Sequence, residues 1–68
     1  MEGTRNDTAL EILKEQGFEP GEAVLHEDGS VRYRIHSKSD SAWVEAGQEL
    51  WDLAAGRLTL SEIKARRL

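Results

Sequence analysis

The serines and histidines are the first residues to test for nucleophilic or acid–base work: Ser30, Ser37, Ser39, Ser41, Ser61, His26 and His36. A nucleophilic site needs a hydroxyl or thiol beside a base that a third group orients. Each serine here lies in a turn or a helix cap, and His36 is only a sequence neighbour of Ser37. That proximity specifies no geometry. A chain of 68 residues also leaves little room for a pocket of enzyme size. No catalytic residue and no cofactor are expected. Zinc would require three or four convergent ligands. The chain has no cysteine, and strand pairing separates His26 from His36 along the ladder, so both read as solvated strand residues.

Binding chemistry has more to work with. Arg32, Arg34 and His36 alternate along one strand-like run, with Lys38 beyond, and so share one face of it. Such a basic stripe suits an acidic protein surface, and a two-stranded ribbon can also enter a DNA major groove. Arg57, Arg66 and Arg67 add positive charge near the C-terminal end. Trp43 and Trp51 stand eight residues apart, roughly 80° round a helix from one another at 100° per residue. On that wheel Trp43 is central to the apolar side and belongs to the core. Trp51 lies at its shoulder, as a core-edge residue able to anchor an interface. The candidate interaction residues are therefore Arg32, Arg34, His36, Trp51, Arg57, Arg66 and Arg67.

Charge narrows the partner classes. The net charge is −4, but residues 1–30 carry eight acids against Arg5 and Lys14, a net of −6. Residues 57–68 carry Arg57, Lys64, Arg66 and Arg67 against Glu62, a net of +3. Polarity of this kind suits an acidic partner or head-to-tail self-association. The acidic total disfavours nucleic acid, whose phosphates call for a basic surface. No apolar run approaches the roughly 20 residues that cross a bilayer, and residues 1–7 lack the apolar centre of a signal peptide. A cytoplasmic protein with no membrane partner is the expectation.

Four elements must position these side chains, in one small domain whose first six residues are expected to be disordered. A first helix is predicted over residues 8–16, with Ala9, Leu10, Ile12 and Leu13 on one side. Gly17 then suits its end, and Pro20 prevents it resuming. The run Ala23, Val24, Leu25, His26 and the run Val31–His36 flank Glu27, Asp28, Gly29 and Ser30, a strong hairpin signal. A three-residue loop with a glycine bulge pairs Leu25 with Val31 and Ala23 with Tyr33. Ala23, Leu25, Val31, Tyr33 and Ile35 then face inward, and Val24, His26, Arg32, Arg34 and His36 outward. From residue 42 to 55 the strongly polar Glu45, Gln48, Glu49 and Asp52 fall within a 100° arc, which predicts a second helix capped from residues 37–41. A third strand over residues 42–45 is the competing reading. Gly56 ends that helix. Thr59 and Glu62 have capping-box spacing and open a last helix over residues 60–67, too short to stand alone in water. The expected fold class is α+β: helix, two-stranded antiparallel hairpin, helix, short C-terminal helix.

The Glu27-Asp28-Gly29 turn, the strand after it, the Ser39-Asp40 cap and the helix through Ala55 together resemble the small phage head–tail joining protein W family. The resemblance covers roughly residues 7–55. It implies a virion assembly component, located in the cytoplasm or the particle, with the hairpin and basic tail as contact surfaces. The family's tail is flexible, whereas residues 59–67 here carry helix-start signals. The string from Leu50 to Glu62 is also similar to helix–Gly–Thr–helix segments of small bacterial antitoxins, which implies a partner-docking helical pair. The function expected is a non-enzymatic protein-interaction module; the alternative is a small regulator that binds nucleic acid or a toxin.

Overall fold

Residues 19–45 build a sheet, and three helices supply the apolar surface that covers one side of it. The computed structural model describes the backbone of residues 2–67 and the side chains of residues 5–67. The elements run α1 (Glu2–Glu15), β1 (Glu19–Leu25), β2 (Val31–His36), β3 (Ser41–Glu45), α2 (Gln48–Ala54) and α3 (Leu60–Arg66). The strands form one antiparallel sheet in the order β1-β2-β3. The fold is thus α+β with three helices and three strands, where sequence alone indicated a two-stranded hairpin.

The first hairpin has the expected register. Leu25 pairs with Val31 and Ala23 with Tyr33. Its loop closes through His26 N–H to the Ser30 carbonyl (2.8 Å) and Gly29 N–H to the His26 carbonyl (2.9 Å). Gly29 has φ +86°, a conformation in which a Cβ would clash with the backbone. Asp28 completes the turn by accepting from the Ser30 amide at 3.0 Å and the Ser30 hydroxyl at 2.6 Å. On the far side of β1 a bulge interrupts pairing between Pro20 and Ala23.

The helix predicted over residues 42–55 is corrected to a strand followed by a shorter helix. β3 pairs with β2 through Arg34–Trp43, Ile35–Ala42 and Tyr33–Val44. Ala42 and Val44 are buried and Trp43 between them is half-buried, a period of two rather than 3.6. The break comes at Gly47, whose φ of +94° fits neither element and which precedes α2 without any side-chain cap. Asn6 supplies part of the deficit, its side-chain oxygen accepting from the Gly47 amide at 2.9 Å. Asp40 caps no helix; it accepts from the Ser41 amide in the β2–β3 turn.

At its other end α1 starts at Glu2, six residues before the predicted Thr8, and takes in a stretch where composition gave no reason to expect order. Arg5 ties this turn to α2 through the Gln48 side chain (3.3 Å) and lies 5.4 Å from the centre of the Trp51 ring. α3 begins as the spacing required. Thr59 accepts from the Glu62 amide and the Glu62 carboxylate accepts from the Thr59 amide, a complete capping box.

Ten buried apolar residues among those described form one core: Ile35, Ala42 and Val44 from the sheet, Ala9 and Leu13 from α1, Leu50, Leu53 and Ala54 from α2, Leu60 and Ile63 from α3. Ile35, Ala42 and Val44 share one sheet face by alternation and register. The helices therefore cover that face, and among the described residues the other, bearing Arg32, Arg34 and Trp43, carries no helix packed flat on it. The core does not reach the hairpin tip. Ala23, Leu25 and Val31 stand on the inner face as predicted, yet all three are exposed and none belongs to the core.

Candidate interaction site on the outer sheet face

Strand alternation sends Arg32 and Arg34 to the outer face, and β3 adds Trp43 directly opposite Arg34. The Arg34 guanidinium carbon lies 5.2 Å from the centre of the Trp43 ring, a cation–π contact. His26 meets the same indole edge-on, with ring centres 5.0 Å apart and planes at 79°. Trp43 is therefore not a core residue, as a helix over residues 42–55 required, but the half-buried centre of the outer face. His26 is likewise no solvated strand residue; it is half-buried against that ring.

α3 closes the site from the side. Its Leu60 and Ile63 enter the core while Lys64 and Arg67 line a cleft with Arg32, Arg34, Ala42 and Trp43. Reaching both faces in this way, α3 must run alongside the outer edge of β3. The cleft has a volume of about 280 Å³.

Most of the cations in it are already matched. Arg32 donates to Asp28 at 2.9 Å, Lys64 pairs with Asp40, and Arg67 pairs with Glu49, as does Arg66 at 3.2 Å. Two of these carboxylates, Asp28 and Asp40, are held below their ordinary values. The Asp28 carboxyl is held below its ordinary value by the Ser30 hydroxyl and amide and then by the Arg32 charge. The Lys64 ammonium, followed by the Ser41 amide, does the same for Asp40. Arg34 differs from its neighbours. Among the described residues its guanidinium has no carboxylate partner, and its one side-chain hydrogen bond goes to the Ser41 hydroxyl at 3.2 Å. Nε of Arg32 and Nε of Arg67 are buried without a hydrogen-bond acceptor among the described residues.

The structure brings together three of the residues singled out from sequence, Arg32, Arg34 and Arg67, and disperses the rest. His36 is exposed at the opposite end of β2, paired with Ser41 and Glu19. Trp51 sits half-buried on α2 under Arg5, at the edge of the core. Arg57 is bound to Asp52 at 2.9 Å, and that bond, after one from Gln48, holds the Asp52 carboxyl below its ordinary value. Arg66 is exposed on α3 with Glu49. Trp43, Lys64 and His26 were missed. Alternation of Ala42-Trp43-Val44-Glu45 was the available signal for Trp43, but Lys64 joins only through the packing of α3. His26 and His36 lie at opposite ends of the hairpin, and no group of three or more metal-ligating side chains occurs among the described residues.

No family model, curated protein or solved structure matches this chain.

Proposed function

We propose that this protein is a non-enzymatic protein-interaction module that meets its partner with the open face of its sheet and the tip of its first hairpin. The observation that carries this reading is the apolar surface left at the hairpin: Val24 is 42% exposed, Leu25 71% and Val31 40%. These three are neighbours in the ladder, in a chain small enough that every buried side chain matters to its stability. Val24 is on the outer face, the same side of the sheet as the Trp43 cleft, while Leu25 and Val31 are on the inner face of the same tip, so apolar and charged surface, the mix found at protein interfaces, adjoin at the hairpin. The resemblance to phage head–tail joining proteins makes a virion assembly component the first partner to try, acting in the cytoplasm or the particle. None of the described helices is long and apolar enough to cross a membrane.

A photo-crosslinking residue placed at Val24 in the producing cells tests this, with exposed Ala55 as the control position. The expected result is a discrete protein adduct from position 24 only. Its purified protein should then bind the native chain and fail to bind a Val24→Asp, Leu25→Asp double variant. Equal adducts from both positions, or unchanged binding by the double variant, refute the reading.

A regulator that binds nucleic acid is the second reading. It draws on Arg34 beside Trp43, since an aromatic ring flanked by a cation can stack a base. The carboxylates of Asp28, Asp40, Glu45 and Glu49 around that pair weigh against it. A retardation assay on random DNA over a range of salt decides, because phosphate-driven binding must weaken as salt rises.

A further inference from the structure

The charge balance of the Trp43 cleft specifies its ligand more closely than "a protein". Four cations line it, Arg32, Arg34, Lys64 and Arg67. Three of them are paired with carboxylates, Arg32 with Asp28, Lys64 with Asp40 and Arg67 with Glu49, the last shared with Arg66. Arg34 is the lining cation without a carboxylate partner among the described residues, at a half-buried position beside an indole. We infer that this cleft receives a single carboxylate, the side chain of one Asp or Glu in a partner segment that is otherwise neutral or basic. The inference rests on the protein-interaction reading and deepens it.

Geometry and charge both favour that ligand. A guanidinium offers five donors in a planar fork that matches the two oxygens of a carboxylate. Arg34 spends one of its donors on Ser41. Trp43 lies against the guanidinium from one side and provides apolar area for the aliphatic part of the incoming side chain. A phosphoryl group carries about −1.5 to −2 charges at neutral pH and would need a second free cation. A polyphosphate backbone fares worse, because successive phosphates would approach Glu45, Glu49, Asp28 and Asp40 as they left the cleft. Those same carboxylates attract basic residues that flank the bound acid.

Titration of the full-length protein with synthetic peptides, followed by the NMR signals of the Trp43 indole and the Arg34 guanidinium, tests the inference. Four probes serve: a Gly/Ser/Lys nonapeptide with one central Glu, the same peptide with Gln, the same with phosphoserine, and a ten-nucleotide thymidine strand. The Glu peptide is expected to give saturable shifts at both groups that weaken with salt. The Gln peptide should bind at least about tenfold more weakly, as expected for loss of a charge-assisted hydrogen bond. Arg34→Gln should remove the difference between Glu and Gln peptides, Arg34→Lys should retain only part of it, and Arg57→Gln should leave it unchanged. Circular dichroism of each variant establishes that it folds; if Arg34→Gln does not, the Arg34→Lys comparison stands in its place. Equal affinity for the Glu and Gln peptides, or an unaltered preference in Arg34→Gln, overturns the inference. Tighter binding of phosphoserine or of the thymidine strand overturns the carboxylate assignment. A partner crosslinked at Val24 with no peptide response would leave the interaction module standing and remove this ligand. The converse result, a peptide response without any partner adduct, would do the reverse.

Discussion

Ile63→Ala probes whether α3 belongs to the cooperative unit or merely leans on it. The helix has seven residues, far too few to persist alone in water. Ile63 is completely buried in the core shared with Ile35, Val44 and Leu50. Truncation to alanine removes three carbons, or about 2–3 kcal/mol of transfer free energy at roughly 0.8 kcal/mol per carbon. The cavity left behind brings the expected loss to the range of about 2–5 kcal/mol measured for such truncations. A chain of 68 residues has a total stability of only about 3–10 kcal/mol. The substitution therefore threatens the whole fold, not one end of it. In urea, with a slope near 1 kcal/mol per molar for so small a domain, the midpoint should fall by about 2 M or more. The measurement is a urea titration followed both by far-ultraviolet circular dichroism and by tryptophan fluorescence. Trp43 reports the sheet and Trp51 reports α2, so neither fluorophore lies on α3. The two curves should shift together. A midpoint shift below about 0.5 M, or loss of helical signal with the fluorescence transition in place, would show that α3 is an appendage, and the cleft it walls would lose its rigid side.

Thr59→Ala removes the capping box of the same helix and should cost about 1 kcal/mol, lowering the melting temperature by about 4–8 °C in calorimetry. Gly47→Ala introduces a Cβ that meets no atom within 4 Å, so any loss comes from forcing φ +94° on a residue with a side chain; about 1–2 kcal/mol is expected in chemical unfolding. Acid should destabilise the protein through Asp28, Asp40 and Asp52, whose carboxyls are all held below their ordinary value of 3.8. Because the folded values are the lower ones, their contribution is complete well above pH 4. It disappears as pH falls through the folded values, and a triple Asp→Asn variant should show a flatter fall in stability between pH 5 and pH 2.

The sequence was legible where structure is decided locally. Asp28 and Gly29 determine the turn, and through it the register that places Arg32 and Arg34 on one face. Thr59 and Glu62 mark the start of α3 without any knowledge of what it packs on. Residues 42–55 misled because Glu45, Gln48, Glu49 and Asp52 satisfy a helical wheel even though the first of them is in a strand. Five residues of alternation are too few to outweigh fourteen of apparent helical period. Their true state depends on β2 offering a free edge, which is a tertiary fact. The site was half-visible for the same reason. Strand parity exposes the two arginines, whereas Trp43, Lys64 and Arg67 reach them only after β3 pairs and α3 packs. Apolar residues at the hairpin tip were legible as a face but not as exposed, since burial depends on how far the helices extend.

The bulge between Pro20 and Ala23 has a further consequence when set beside the position of α3. β1 is the outer strand on one side, and there Pro20 lacks an amide hydrogen while the bulge breaks the regular rhythm of donors and acceptors. On the other side α3 packs against β3. Neither border offers a long flat template for another strand, so the sheet is self-limiting at three. Growth by strand addition, whether into fibrils or into a ladder shared with a partner, is discouraged from both directions. For the proposed interaction, this turns the contact through a right angle, from the rim of the sheet to its open face, where side chains rather than backbone would decide what is bound.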